Sequence, residues 1–445
     1  MSHDFPKLGD WSEFDGLREL WSDRLPGAVR RARESDFYRR RFGGEDPKAA
    51  LDALCGLGVT TKADLRASHP FGMLAVPRRE VVAYHQSSGT SVGRATGSFH
   101  TEADWDEMLD RFGRGGAALT AEDTVLVRVP YAMVTIAHQV HAAARAAGAM
   151  VVPADARSTA MTVRRVLGLL RDLEVTVAAA LPTEPLLWAA CARLLGESPR
   201  SYAPALRTLV ATGEPLSSAR RRRIEELWGC SVTLSYGNSE CGSNLAGECP
   251  EGTLHLWADR YLPEVLDPET GLTAWEGRGR LVLTTLFRQA MPLIRYDTGD
   301  TVDLRYTACP CGWALPSVRV LGRWEQGVEI AGRRVFASEV EDVVFALPGE
   351  LGVLFWRAVA DRGRLRVEAE ADARAAADVA AELGRGLERA FGPVADAVAV
   401  PAGTLVPLDE LSRTSHIAKP RYLSAAADTE DSGLAYPAPA GAGGG

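Results

Sequence analysis

The sequence predicts an α/β fold: a large N-terminal domain with βαβ-type sheets plus a β-rich subdomain, and a smaller α+β C-terminal domain. Three observations predict it. Between residues 125 and 235, short β-branched runs alternate with stretches whose apolar residues recur at helical spacing. After Cys249 the pattern breaks into short strands separated by Gly, Pro and Asp. Near Gly322-Arg323-Trp324-Glu325 it changes again, leaving enough helix and strand for a domain of about a hundred residues.

Taken in order, residues 125–129 read as a strand and 135–147 as an Ala-rich helix. Strands at 150–152, 175–180, 206–212 and 232–235 follow, with helices at 161–173, 185–195 and 217–228 between them. Such alternation forms βαβ units around a mainly parallel sheet, with ligands bound beyond the C-terminal ends of strands. Two polar, Gly-bearing segments fall at such ends: Thr212-Gly213-Glu214-Pro215 and Ser235-Tyr236-Gly237-Asn238-Ser239-Glu240. Strands at 254–256, 263–266 and 280–285 make the β-rich subdomain. Helices at 335–345 and 375–390 and a strand at 365–369 fill the C-terminal domain. The domains therefore run 1–324 and 325–423. Residues 424–445, mostly Ala, Gly, Pro and Ser, read as a disordered tail.

Composition excludes several classes. With 445 residues, 46% hydrophobic and 24% charged, the chain is neither fibrous nor wholly disordered. A net charge of −8 argues against a nucleic-acid partner. No apolar run approaches the ~20 residues of a membrane span, and residues 1–10 lack a signal peptide's apolar core. A cytoplasmic protein without membrane contact is the expectation. Seven cysteines in a reducing compartment suggest metal before disulfides where they cluster. Cys55, Cys191 and Cys230 stand alone in apolar surroundings and read as buried packing residues. The arginine runs at 30–33, 39–41 and 220–223 read as solvated helix faces.

Ser87-Ser88-Gly89-Thr90-Ser91-Val92-Gly93-Arg94-Ala95-Thr96 is dense in hydroxyls and glycine. Freed backbone N–H groups and hydroxyls form a nest for phosphate oxygens. No Gly-Lys-Ser/Thr closes it, so a P-loop NTPase is not supported. It is followed in order by Tyr236-Gly237-Asn238-Ser239-Glu240, Pro292-Leu293-Ile294-Arg295-Tyr296-Asp297-Thr298-Gly299-Asp300, Gly322-Arg323 and a late Lys419. With this order of motifs, residues 10 to 423 resemble the adenylate-forming ligases, most closely the phenylacetate–CoA ligase-like, aryl-acid-activating branch.

The resemblance implies roles. Ser88, Gly89 and Thr90 would hold the β- and γ-phosphates of ATP. Gly213, Glu214 and Pro215 would border the adenine, with Tyr236 stacked near it and Gly237 beside it. Glu240 would help hold Mg²⁺, Asp300 would accept from the ribose hydroxyls, and Arg323 would lie near ribose and phosphates. Lys419 would bridge the substrate carboxylate and α-phosphate during adenylation. A carboxylate attacking a polyanion needs such cations where charge accumulates, and Lys is a compact point charge suited to that position. Tyr131, His138, Gly237 and Asn238 would contribute to the acyl pocket.

Cys249 and His255, with Cys309 and Cys311, offer three thiols and one imidazole, a set suited to closed, structural Zn²⁺. The resemblance implies the same, since ligases of this branch can carry a Cys-rich zinc site in that region. Cys241 is the substitute ligand should His255 not serve.

The expected reaction is ATP-dependent adenylation of a small aromatic carboxylic acid, followed by acyl transfer as the C-terminal domain rotates. Coenzyme A is the leading acceptor, a small amine or hydroxyl the alternative, and a homodimer is compatible with the family. A non-catalytic pseudo-ligase is disfavoured by the retention of Glu240, Asp300, Arg323 and Lys419. Three departures stand out: Val92, Arg94 and Ala95 in the phosphate loop, Trp324-Glu325-Gln326 at the hinge, and Gly332-Arg333-Arg334-Val335-Phe336 on the face expected to meet the acceptor.

Overall fold

The computed structural model describes residues 5–43, 48–87, 95–407, 411 and 421–426. Its contacts gather into two compact units. One comprises residues 1–119, 131–147 and 233–320, the other 120–130, 148–232 and 321–445.

Strands of the first unit lie in the order Thr273–Ala274, Tyr261–Leu266, Gly277–Thr285, Tyr296–Arg305, Ser317–Arg323, Leu254–Leu256, Ala246–Glu248 and Ser231–Tyr236. Pairing is antiparallel at the outer hairpins and across Tyr261–Leu266, Gly277–Thr285 and Tyr296–Arg305. The helix Phe14–Arg33 buries Leu17, Trp21, Leu25, Ala28, Val29 and Ala32, a stripe at spacings of three and four that gives one apolar face. Trp21 also spends its indole N–H on the Ala258 carbonyl at 2.7 Å, so its burial leaves no orphaned donor. A separate hairpin pairs Ala83–Gln86 with Gly97–His100 and carries the Gly-rich loop between its strands. Only glycine fits at 97, where a Cβ would lie 2.6 Å from the Tyr84 ring.

In the second unit four parallel strands lie in the order Thr208–Thr212, Val177–Ala180, Thr124–Arg128 and Met150–Pro153. The helices Val163–Asp172, Thr183–Leu194 and Ser218–Trp228 alternate with them, as the sequence pattern predicts. A four-stranded sheet, ordered Ala395–Pro401, Arg364–Ala371, Trp356–Asp361 and Leu423–Ala425, joins the helices Ala337–Phe345 and Ala376–Phe391.

Three expectations are corrected. The strand Leu423–Ala425 pairs parallel with Trp356–Asp361, so ordered chain extends past residue 424, where the tail was expected to begin. Cys55 is exposed, because the 3₁₀ turn Leu51–Leu57 buries Leu54 and Leu57 and turns the thiol outward. Arg220 and Arg223 are buried, not solvated, since both meet carboxylates or carbonyls from distant segments. Among the described residues no helix is long and apolar enough to cross a membrane.

Candidate active site

The strand Ser231–Tyr236 ends in the turn that carries Gly237, Asn238 and Glu240. A Cβ at Gly237 would meet the Asn244 backbone nitrogen at 2.5 Å, so the chain passes itself there only as glycine. Asn238 fixes the turn by accepting from the Cys241 N–H at 2.8 Å. Tyr236 donates its phenol to Asp300 Oδ2 at 2.7 Å, across 64 residues of sequence. Asp300 is 6% exposed and follows Gly299, whose φ of 73° turns the strand beside it. The structure thus joins two of the sequence-predicted residues directly. A carboxylate accepts at about four lone-pair sites, so the phenol orients Asp300 without exhausting it.

Glu240 is 3% exposed. Its Oε1 accepts from Thr96 Oγ1 at 2.5 Å and lies 3.4 Å from Lys62 Nζ. Thr96 Oγ1 is also 2.9 Å from Ser87 Oγ, and the Ser87 N–H donates to the Thr96 carbonyl at 3.0 Å. Ser87 and Thr96 therefore zip the neck of the Gly-rich loop and tie it to Glu240. Ser88, Gly89, Thr90 and Arg94 lie outside the described residues, as does Lys419. Sequence reasoning missed Lys62, and it placed Thr96 at the end of the hydroxyl-rich loop without its bond to Glu240.

Tyr131 and His138 also meet: His138 Nε2 is 2.9 Å from the Tyr131 carbonyl oxygen, and their rings cross edge to face at 5.4 Å. His85, at the end of which strand the loop begins, lies 5.3 Å from the His138 ring and stacks on Trp105 at 5.8 Å. Burial pushes the His85 imidazole down to about 4, and the neighbouring His138 adds to the effect, so it is neutral at working pH. Neither His85 nor Trp105 was anticipated as a neighbour of these residues. Gly237 and Asn238 contact the 241–244 turn.

In the second unit Gly213 takes a φ of 81° at the end of the strand Thr208–Thr212, and Pro215 follows Glu214 in the same turn. The Glu214 carboxylate points inward, accepting from Thr183 Oγ1 at 2.7 Å and lying 3.6 Å from Arg220. Arg323 ends the strand Ser317–Arg323 and is half-buried. Below Glu214, Glu341 accepts from Ser217 Oγ at 3.2 Å and lies 3.5 Å from Arg220. Burial raises its carboxyl to about 7, against the attraction of Arg220 and the Ser217 hydrogen bonds. Because this folded value stands above the unfolded carboxyl, the protonated form stabilises the fold, and that contribution is lost as pH rises towards 7. Glu341→Gln removes the titration. The variant is expected to melt higher than the parent at pH 8 and close to it at pH 5, by scanning calorimetry.

Cys249, His255, Cys309 and Cys311 converge, with one ligand atom of each within 4.8 Å of all the others. Two similar turns achieve this. Cys249-Pro-Glu-Gly252 and Cys309-Pro-Cys-Gly312 each close with a glycine N–H on the cysteine carbonyl, at 2.9 and 3.1 Å, both glycines at φ 73°. The doubled Cys-Pro-x-Gly was the sequence signal that could have strengthened the expectation. Cys249 and Cys309 sulfurs are 3.9 Å apart, too far for a disulfide, and Cys311 Sγ is 3.4 Å from His255 Nε2. A tetrahedral zinc with bonds of about 2.3 Å to sulfur and about 2.0 Å to nitrogen separates such atoms by about 3.8 and about 3.5 Å. His255 Nδ1 faces the Leu315 carbonyl at 2.8 Å, which makes it the protonated nitrogen and turns the Nε2 lone pair to the thiols. The residues therefore fit the ion. Cys241 is buried outside the cluster, with its carbonyl accepting from Tyr261, so His255 is the fourth donor of the cluster.

Comparison with known proteins places these features in context. A family described as AMP-binding enzyme matches residues 76–281. The chain is 38% identical to a phenylacetate-coenzyme A ligase of Thermus thermophilus over 344 residues, 75% of this chain and 76% of that protein. It is 31% identical to the Escherichia coli phenylacetate-coenzyme A ligase, over 74% of this chain and 76% of that one. Among solved structures, a 2-hydroxyisobutyryl-CoA ligase in its postadenylation state superposes with a TM-score of 0.80, covering 94% of both chains at 23% identity, a likeness of fold.

Proposed function

The chain belongs to the phenylacetate–coenzyme A ligase-like AMP-binding enzymes, and from that premise we propose that it activates a small aromatic carboxylic acid. It is an AMP-forming acid–CoA ligase: ATP drives formation of an acyl-adenylate, pyrophosphate leaves, and the acyl group passes to the thiol of coenzyme A.

The observation that carries the residue assignment is the Tyr236–Asp300 hydrogen bond. It fixes an obligate acceptor within the strand Tyr296–Arg305, beside the end of the strand Ser231–Tyr236, and a ribose diol offers such an acceptor two donors. Glu240 would hold Mg²⁺ through its carboxylate, and the ion would supply the positive charge that lowers repulsion between the acid and the triphosphate. Thr96 aims that carboxylate, and its bond to Ser87 ties the two ends that flank the Gly-rich loop to Glu240. Lys62, beside the same carboxylate, adds a cation where phosphate charge gathers. Gly213, Glu214 and Pro215 border the adenine through backbone, because the Glu214 side chain is spent inside the protein. Arg323 lies by the phosphates, and Lys419 bridges carboxylate and α-phosphate. Cys249, His255, Cys309 and Cys311 hold a structural zinc.

The aromatic group Tyr131, His138, His85 and Trp105 supports an aryl acid. Flat rings offer a planar substrate stacking and edge contacts, each worth about 0.5–1.5 kcal/mol beyond area burial. Neutral His85 adds no charge to repel or capture the ring. The test is a panel of benzoates, arylacetates and short aliphatic acids with ATP and CoA, read by product mass. Aryl-CoA products at higher kcat/KM than aliphatic ones are expected. Preference for an aliphatic acid overturns the substrate assignment, and an amide or ester product overturns the acceptor.

Asp300→Ala tests the ribose contact. Hydrogen bonds to a charged acceptor contribute about 1.5–3 kcal/mol, so KM for ATP should rise roughly 10- to 100-fold with little change in KM for the acid. Tyr236→Phe, which only releases the carboxylate, should raise it less. Steady-state kinetics against ATP checks both.

A further inference from the structure

One buried polar cluster in the second unit joins segments far apart in sequence. Thr183 Oγ1 donates to Glu214 and accepts from the Tyr422 phenol at 2.6 Å. Arg220 Nη2 donates to Thr183 Oγ1 at 2.9 Å and to Tyr422 Oη at 3.0 Å. The same guanidinium lies 5.3 Å from the centre of the Tyr422 ring and within 3.6 Å of both Glu214 and Glu341. Tyr422 stacks on Trp356 at 5.0 Å with an interplanar angle of 15°. Its neighbours Leu423–Ala425 then pair with the strand Trp356–Asp361.

Position in the chain gives the cluster its meaning. Tyr422 stands three residues after Lys419, and Glu214 belongs to the Gly-Glu-Pro turn. We infer that Tyr422, held by Thr183 and Arg220, is a positioning residue that sets Lys419 for the adenylation step. The inference rests on the reading of Lys419 as the adenylation lysine. A phenol buried this deeply needs a partner, and a shared network is stronger than isolated bonds. Here that network ties the strand after the lysine to the turn that borders the adenine. Three residues of chain limit how far Lys419 can wander from a fixed Tyr422. The same bonds oppose withdrawal of the lysine, so they favour the first half-reaction over the second.

Tyr422→Phe keeps the stack on Trp356 and removes only the hydroxyl. Two readouts separate positioning from mere support: acid-dependent ATP–pyrophosphate exchange, and acyl-CoA formation from supplied acyl-adenylate. The exchange kcat is expected to fall about tenfold, the scale of one net hydrogen bond, with KM for ATP and acid unchanged. Thioester formation should hold or rise. Thr183→Val should give the same split, and Thr183→Ser should restore the parent ratio. Equal losses in both half-reactions, or an exchange rate within twofold of the parent in both Tyr422→Phe and Thr183→Val, overturn the inference. Lys419→Ala run alongside distinguishes the premise: if it spares exchange, the lysine reading fails; if it alone abolishes exchange, only the positioning role fails.

Discussion

Lys419→Ala lowers acid-dependent ATP–pyrophosphate exchange by at least about 100-fold, with the fold intact. That is the scale of losing one preorganised charge where negative charge develops. The acid brings a carboxylate onto the α-phosphate of a polyanion, and a compact ammonium can neutralise both oxygens at once. Lys419→Arg should recover little, because a planar fork cannot occupy a point-charge position. Thioester formation from supplied acyl-adenylate should stay near the parent rate, since the adenylate already exists. An unchanged melting temperature would confirm that the loss is local. Exchange near the parent rate in Lys419→Ala would contradict the assignment.

Loss of zinc is expected to cost stability more than turnover. Protein purified without added zinc should contain close to one equivalent, measured by plasma emission, because closed thiolate sites bind tightly. Less than about half an equivalent would contradict the site. Cys309→Ser should lose the ion and several degrees of melting temperature, consistent with about 4 kcal/mol when free metal exceeds Kd about a thousandfold. The kcat of the remaining folded protein, measured at low temperature, should change little. The reason is chemical: three thiols and one imidazole leave a tetrahedral ion no open position for substrate.

Much of this architecture was legible in the sequence where short-range pattern decides it. The β-branched runs at 124–212 and the helices between them were read within a few residues, because the central strands Thr124–Arg128, Val177–Ala180 and Thr208–Thr212 are mostly buried apolar runs. The strand Leu423–Ala425 was not. Three residues carry no period, and pairing with Trp356–Asp361 makes them a strand. The arginines at 220 and 223 show the same limit. As a run of charge they look solvated, yet the partners that bury Arg220 are Thr183, Glu214, Glu341 and Tyr422, the last 202 residues away. Cys55 erred the other way, since apolar neighbours in sequence do not say which face a single turn buries.

The site divides similarly. Glu240, Asp300 and Tyr236 were singled out because their motifs come in a fixed order, Tyr236 and Glu240 just after a strand, and the structure adds the bond between Tyr236 and Asp300. Lys62 and the bond from Thr96 to Glu240 were not readable, since Thr96 lies 144 residues from the carboxylate it holds and Lys62 sits at the start of an ordinary helix. The three cysteines and the histidine of the cluster were visible as residue types. What makes them converge is the pair of Cys-Pro-x-Gly turns and the Leu315 carbonyl that orients His255.

The most direct test of the central claim is the phosphorus balance of a single reaction. Protein, ATP labelled at both the α- and γ-phosphates, an aryl acid and CoA are incubated together, and the nucleotides, pyrophosphate and orthophosphate are separated by anion exchange. The account predicts AMP and pyrophosphate, one of each per acyl-CoA formed, and none without the acid. ADP with orthophosphate, or ATP consumption that ignores the acid, would contradict it.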